Sequence, residues 1–363
     1  MRERLAFLIT LLPRPRFVFC VLPPVVCPCA THRIPQFAQR MLAPLAKLMD
    51  WSAIQAVALM MRGDANGKDP RLEEALHFLN GPDFLPTESP PAQVKFNGPV
   101  HFRFPTPRPC DFAENNVVHG RLYRCPERWQ KRPVIILLPG WNDSASYKLR
   151  FPLLARRCNR AGFNVATLVP PYHFQRRPRR RAAFDSGHCL LLAESTAQAI
   201  AEIRALTGWL LREGCPAVAL WGYSMGAGHA GMAVCRDARL AAVVLASPAV
   251  RFRPWVEQRA VRPRIRGRLQ SVHELCERMN LTPMNLTMIK PAIPREKILL
   301  IEGTHDLICL KDHIEDLWQS WGQPDIWRLP TGHVAVCCGG VPGLPARVLR
   351  WLEPRLNKPA FTY

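Results

Sequence analysis

The stretch that most constrains this chain is Ala217–Ala230, AVALWGYSMGAGHA. An apolar run, Ala217–Trp221, leads into Gly222-Tyr223-Ser224-Met225-Gly226 and then into small residues that suit a helix. A serine on a sharp strand-to-helix turn has its hydroxyl lifted clear of the sheet and its backbone strained. Glycine on either side of the turn leaves space that a Cβ would fill with a clash against the neighbouring strand or helix. The first N–H groups of the following helix point at the same spot. The functional reading is a nucleophile; the alternative is a tight packing turn whose serine caps the helix.

The surrounding sequence fits a buried parallel sheet. Val100–Phe104 and Val117–Arg124 read as strands, and Pro133–Leu138 (PVIILL) is a continuous apolar strand of the kind covered on both faces. A helix over Tyr147–Ala161 stops at Gly162, and the next strand is Phe163–Val169. Cys189–Arg212 is a long helix, and Gly226–Arg236 follows the serine turn as another. Leu240–Ala246, Lys297–Ile301 and Asp325–Leu329 are further strands, with helices over His313–Trp321 and Pro342–Leu356. Strands alternating with helices predict an α/β domain over residues 99–358. Its sheet is mostly parallel and flanked by helices, with a small cap insertion over 251–294.

Three more stretches lie at the C-terminal ends of predicted strands, where open α/β sheets hold their ligands. They are Pro139-Gly140-Trp141, Gly303-Thr304-His305-Asp306, and Gly332-His333. With the serine turn, they resemble the α/β-hydrolase superfamily, in its serine-esterase-like form, over Pro99–Leu356. The chain order Ser, Asp, His is the one that superfamily uses. The resemblance implies an α/β-hydrolase fold with Ser224 as nucleophile, His333 as its base and Asp306 as the acid that orients the imidazole. Glu302 is the competing acid, held at a strand end with less freedom to reach. His305, His173 and His229 compete with His333. The N–H groups of Met225 and Trp141 are the expected oxyanion donors. Many relatives have His-Gly where this chain has Pro139-Gly140, a change that leaves a backbone donor in place. Tyr172, His173 and Tyr223 are the candidates for lining the substrate site.

Composition sets limits on partners. The net charge is +21, from 49 Lys+Arg against 28 Asp+Glu, which raises nucleic acid, anionic membranes or acidic substrates. Frequent Arg, Pro and Ala also follow from GC-rich coding. No zinc-finger, RNP or basic-zipper pattern is present, so no specific nucleic acid partner is expected. The thirteen cysteines are scattered through predicted strands and helices and read as reduced, buried thiols. No metal signature or cofactor motif stands out. Arg176, Arg177, Arg179, Arg180 and Arg181, with the arginines of Arg251–Arg268, would make a cationic mouth if they face it. The expected substrate is a small ester or thioester with an anionic group; the alternative is a solvated basic surface. Peripheral membrane contact is a further expectation.

Residues 1–34 carry an apolar run, Leu5–Leu12, broken by Pro13, Pro15, Pro23 and Pro24, and are expected to be poorly ordered. A secretory signal fits poorly, a start assigned too far upstream would look the same, and a cytoplasmic location is expected. Residues 35–98 read as a helical extension and linker. Gln36–Arg62 has apolar residues at helical spacing, Asp50 or Ser52 is a candidate start for a second helix, and the extension is expected to pack on the core. The function expected is carboxylic-ester hydrolysis through an acyl-enzyme. A thioesterase or peptidase would use the same residues, and a non-catalytic binding protein of this fold is the rival from another class.

Overall fold

The run Val134–Leu138 has every residue buried, which a strand achieves only with layers on both faces. A computed structural model of the chain describes residues 36–60, 69, 71–178, 189–252 and 269–357. It puts this run, β4, near the middle of a nine-stranded sheet. The expectation for residues 1–34 lies outside the described residues, as does the whole of 253–268.

The elements follow in chain order. Helices α1 (Gln36–Met60) and α2 (Leu72–Asn80) come first, then strands β1 (Lys95–Asn97), β2 (His101–Pro105) and β3 (Val117–Tyr123). After β4 come α3 (Phe151–Arg160), β5 (Asn164–Leu168), α4 (Cys189–Arg212), β6 (Val218–Tyr223) and α5 (Met225–Val234). The last part holds β7 (Ala242–Ala246), α6 (Leu269–Asn280), β8 (Ile298–Gly303), α7 (Lys311–Ser320), β9 (Asp325–Leu329), α8 (His333–Cys338) and α9 (Leu344–Leu356). The sheet order is β1-β2-β3-β5-β4-β6-β7-β8-β9. The first three strands pair antiparallel and β3 joins β5 antiparallel; from β5 to β9 all pairing is parallel.

Strand alternation divides the core into two layers. Ile136, Leu138, Val218 and Leu220 face one layer, with residues of α2, α4 and α5. Ile135, Leu137, Ala219 and Trp221 face the other, with residues of α3 and α9. Chain order reverses about β4: β5 lies on one side of it and β6 on the other. A crevice opens beyond the strand ends at such a reversal, and ligands of open α/β sheets bind there.

Two expectations change at the N-terminal end. The sheet begins at Lys95, inside the stretch read as linker, and Ala75, Leu79, Phe84, Leu85 and Ala92 sit in the same core layer as α4. Helix α1 runs unbroken through Asp50 and Ser52, and four of its large apolar residues do not face inward as the periodicity suggested. Leu45, Leu48, Met49 and Trp51 are exposed, while Ala46, Asp50 and Ile54, at i, i+4 and i+8, are buried. The hydrogen bonds of Asp50 select that face, as described below. The ten cysteines among the described residues are free thiols, most of them buried.

Candidate active site

The turn after β6 holds Ser224 at φ 54°, ψ −120°, a conformation an L-residue adopts only when its surroundings force it. Gly226 makes the turn fit, since a Cβ there would lie 2.5 Å from both the Leu138 and Pro139 carbonyl oxygens. A Cβ on Gly222 would collide with the backbone of Gly226 and Ala227. Strand β6, the start of α5 and the loop after β4 are thus packed backbone to backbone. A Cβ on Gly140 would sit 3.3 Å from the Ser224 Cβ, so the Pro139-Gly140-Trp141 loop runs beside the serine. Met225 is the first residue of α5.

Across the crevice, the loops after β8 and β9 run side by side. The Thr304 N–H donates to Leu329 O at 2.8 Å and the His305 N–H to Thr331 O at 3.0 Å. These loops carry Asp306 and His333. The Asp306 Oδ2 is 2.8 Å from His333 Nδ1, and His333 Nε2 is 3.1 Å from Ser224 Oγ. With the proton on Nδ1, the imidazole donates to Asp306 and accepts from the serine hydroxyl. The other oxygen of Asp306 accepts the Ile308 and Cys309 N–H groups at 2.7 Å each, which fixes the carboxylate plane. Three residues far apart in sequence, Ser224, Asp306 and His333, are therefore brought together in one hydrogen-bonded row.

Glu302 lies apart from that row. Its side chain is buried on the opposite side of β8 from Ile301, beside Arg328 of β9 and Glu315 of α7. Arg328 Nε is 2.6 Å from Glu315 and 3.9 Å from Glu302. Burial and the Glu315 carboxylate push Glu302 up to about 7.

Opposing effects act on His333. Burial disfavours its imidazolium, but negative charge on Cys337, Asp306 and Cys309 favours it more, and the net pKa lies well above the ordinary histidine value. Burial pushes the Cys309 thiol up, while the neighbouring His333 opposes that rise. Cys337, one turn along α8, places its Sγ 3.6 Å from His333 Nε2.

The residues expected to line the pocket are placed differently. Tyr223 is a correction: it shares a strand face with Trp221, stacks on that ring at 5.6 Å, and belongs to the core layer with Phe151. Side chains two apart on a strand point the same way, so the residue before the serine points into the core. Tyr172 is buried with φ 60°, its ring against Phe112 and its hydroxyl 3.6 Å from Cys110 Sγ. Its N–H donates to Asn115 Oδ1. His173 is buried too, its Nδ1 2.8 Å from Pro171 O, and burial lowers its pKa to about 4, leaving it neutral. His229 on α5 is likewise lowered to about 4 by burial.

The arginine mouth also needs correcting. Arg176 is fully buried, with both Nη atoms on the Glu202 carboxylate at 2.6 and 2.7 Å and further bonds to Val169 O and Asn115 O. It braces the loop after β5 from inside. Arg177 is exposed and donates to Asn142 Oδ1 at 2.5 Å, next to Trp141. Arg251 pairs with Asp316 at 2.7 Å, and Arg179–Arg181 lie outside the described residues.

One residue at the site went unassigned in the sequence. Asp50 of α1 is buried against both loops: its Oδ2 accepts the Leu307 and His333 N–H groups at 3.0 and 2.8 Å, and its Oδ1 accepts the Val334 N–H at 2.9 Å. Burial raises its pKa; the three N–H bonds oppose that rise and the nearby Asp306 charge adds to it, for a net shift upward. A lone acid on the i, i+4 row of Ala46 and Ile54 was the available signal.

The family model described as Alpha/beta hydrolase domain containing 18 matches residues 83–258. Acetyl xylan esterase 1 from Thermoanaerobacterium sp. JW/SL YS485 is similar in structure with a TM-score of 0.52 at 14% identity, over 80% of this chain and 95% of that one. This chain has the α/β-hydrolase fold. The same hydrolase fold is shared with an acetyl xylan esterase from Paenibacillus sp. R4, at a TM-score of 0.50 and 14% identity, covering 79% of this chain and 95% of that one. In sequence, the hydrolase-fold chain is 26% identical over 229 residues to uncharacterized protein Rv2627c of Mycobacterium tuberculosis, covering 61% of this chain and 54% of that protein. It thus spans about half the length of the curated relatives it matches. Among the described residues, no helix is long and apolar enough to cross a membrane.

Proposed function

We propose that this chain is a serine hydrolase that cleaves carboxylic esters through an acyl-enzyme. The reading rests on one observation: the unbroken row from Ser224 Oγ through His333 to Asp306, with separations of 3.1 and 2.8 Å, at the sheet's reversal point. His333 Nε2 takes the hydroxyl proton as Ser224 Oγ bonds to the ester carbonyl carbon. The carbonyl oxygen gains negative charge and is met by the Met225 and Trp141 N–H groups, a role supported by the contact of the Gly140 loop with Ser224. The imidazolium then gives its proton to the leaving alcohol oxygen as the C–O bond breaks, and the acyl group stays on Ser224. Water repeats the sequence: His333 takes its proton, its oxygen bonds to the acyl carbon, and Ser224 leaves with the proton returned.

Asp306 holds the Nδ1–H tautomer throughout and stabilises the imidazolium. A thioester fits the same steps with sulfur as the leaving atom. A preference for an anionic substrate group rests on Arg177, which is exposed beside the Trp141 loop.

A fluorophosphonate probe tests the reading. Wild-type protein should take up one equivalent, recovered on the peptide carrying Ser224, and Ser224→Ala should lose both labelling and ester turnover while melting normally. Stoichiometric labelling of the alanine variant would sink the proposal.

A further inference from the structure

Helix α1 turns four large apolar side chains outward and an acid inward. Leu45, Leu48, Met49 and Trp51 are 41–58% exposed, whereas Asp50 is fully buried. Placing a carboxylate inside is costly unless its oxygens are well supplied with donors. Asp50 has three, all backbone N–H groups, from two loops that carry the site.

Two of those donors are the first N–H groups of α8, which have no partner within their own helix. The residue at the N-cap of α8 is Gly332, which has no side chain to cap with. A Cβ there would lie 2.7 Å from Asp50 Oδ2, so the glycine leaves the space the aspartate fills. Asp50 thus caps, from 283 residues away, the helix that begins at His333. Its third donor is Leu307, directly after Asp306. One carboxylate is bonded to the residue following the acid and to the backbone of the base itself.

We propose that Asp50 is a positioning residue that sets the distance and angle between Asp306 and His333, making α1 part of the active site. The role it serves rests on the hydrolase reading; the placement of the two loops does not. Asp306, Cys309 and Cys337 are the other titratable groups facing the imidazole. An amide at position 50 would keep the shape but turn an NH2 group toward N–H donors and remove a negative charge. Both changes would loosen the Asp306–His333 pair.

The test uses full-length protein as wild type, Asp50→Asn, Asp50→Glu and Gly332→Ala. Three quantities are read on each: the probe acylation rate with ester kcat and KM, the His333 titration by 15N-imidazole NMR, and the melting temperature. In Asp50→Asn, kcat and acylation should fall roughly 10²-fold, the loss typical of a misplacement of about 1 Å. KM should stay within about twofold, as expected when binding is intact, and the His333 pKa should drop toward the ordinary value. Asp50→Glu should recover part of both. A lowered melting temperature with unchanged acylation and unchanged His333 titration would reduce Asp50 to an anchor for α1 and overturn the proposal. If Asp50→Asn does not fold, Gly332→Ala carries the test, because its Cβ displaces an intact Asp50; normal acylation and titration there overturn it equally. If wild-type protein ignores the probe, the hydrolase reading fails and the titration alone decides: a shift in Asp50→Asn or Gly332→Ala upholds the positioning role, and no shift ends it.

Discussion

The two sides of the crevice are built in opposite ways. The serine side is local: a single stretch, Gly222–Gly226, forms the turn, and its glycines let α5 and the loop after β4 close around Ser224 at backbone contact. The acid–base side is assembled from three places, with Asp306 after β8, His333 after β9 and Asp50 from α1 holding both. A strained turn is held by steric fit, and a base–acid pair is held by hydrogen bonds that must be brought from elsewhere. Substitutions at the turn glycines should therefore harm the first side through folding, and substitutions of the hydrogen-bonding acids should harm the second through chemistry.

The largest effect should separate the two acids near β8. Asp306→Asn keeps the shape but favours the wrong imidazole tautomer, a change that costs on the order of 10⁴ in kcat where a triad aspartate is replaced. Glu302→Gln should leave kcat within about threefold, because Glu302 faces Arg328 and Glu315 rather than His333. Steady-state ester kinetics would measure both, and the reverse ranking would move the acid to Glu302.

The serine side should break differently. In Gly226→Ala the new methyl would have to move two carbonyl oxygens that lie 2.5 Å away. Overpacking of this kind costs about 1–3 kcal/mol or more. Urea melts should show that loss, whereas Asp306→Asn should melt close to wild type. Equal stability losses in the two variants would erase the distinction between the sides.

This division also governs what could be read in advance. The elbow, the strands that frame it and the order Ser, Asp, His were legible because each is a local pattern of apolar runs, glycines and strand ends. The pairing of His333 with Asp306 followed from the resemblance, and the structure brings those residues to 2.8 Å. What escaped was non-local. Asp50 looked like a helix start because its three partners lie more than 250 residues away. Arg176 looked like a surface charge until Glu202, on a different element, claimed it. Tyr223 could have been placed: strand alternation with Trp221 turns it into the core.

Acid–base behaviour sharpens the comparison further. The proposed ester hydrolysis would need neutral His333, and the pKa of His333 lies well above the ordinary 6.5. The ascending limb of kcat/KM against pH should therefore have its midpoint above that value, with activity still rising past neutrality. Asp306→Asn removes the carboxylate that favours the imidazolium, so the residual activity should show a midpoint shifted down. A wild-type limb that is complete below pH 6 would mean that Asp306 is not electrostatically coupled to the base.

The smallest effect concerns Glu302, and it appears in stability alone. Its carboxyl has a pKa near 7 in the fold against an ordinary 4.5, from burial first and the Glu315 charge second. The folded state therefore keeps a proton that the unfolded chain has released. The stabilisation is complete below about pH 4.5 and is lost as pH rises through about 7. Glu315 is shifted the other way, chiefly by its hydrogen bond from Arg328, and its contribution is lost only as pH falls below the ordinary carboxylate range. The two windows do not overlap. In Glu302→Gln the amide N–H groups replace the carboxyl proton facing Glu315 and never ionise. The variant should match wild type near pH 5 and exceed it by roughly 1–3 kcal/mol near pH 8, the scale of a buried group left poorly compensated. His333, with its own raised pKa, is the same in both proteins and cancels in the difference. Chemical denaturation of the pair at several pH values gives that difference directly. A flat difference would mean that Glu302 is ionised in the fold, with Arg328 as its real partner and Glu315 displaced.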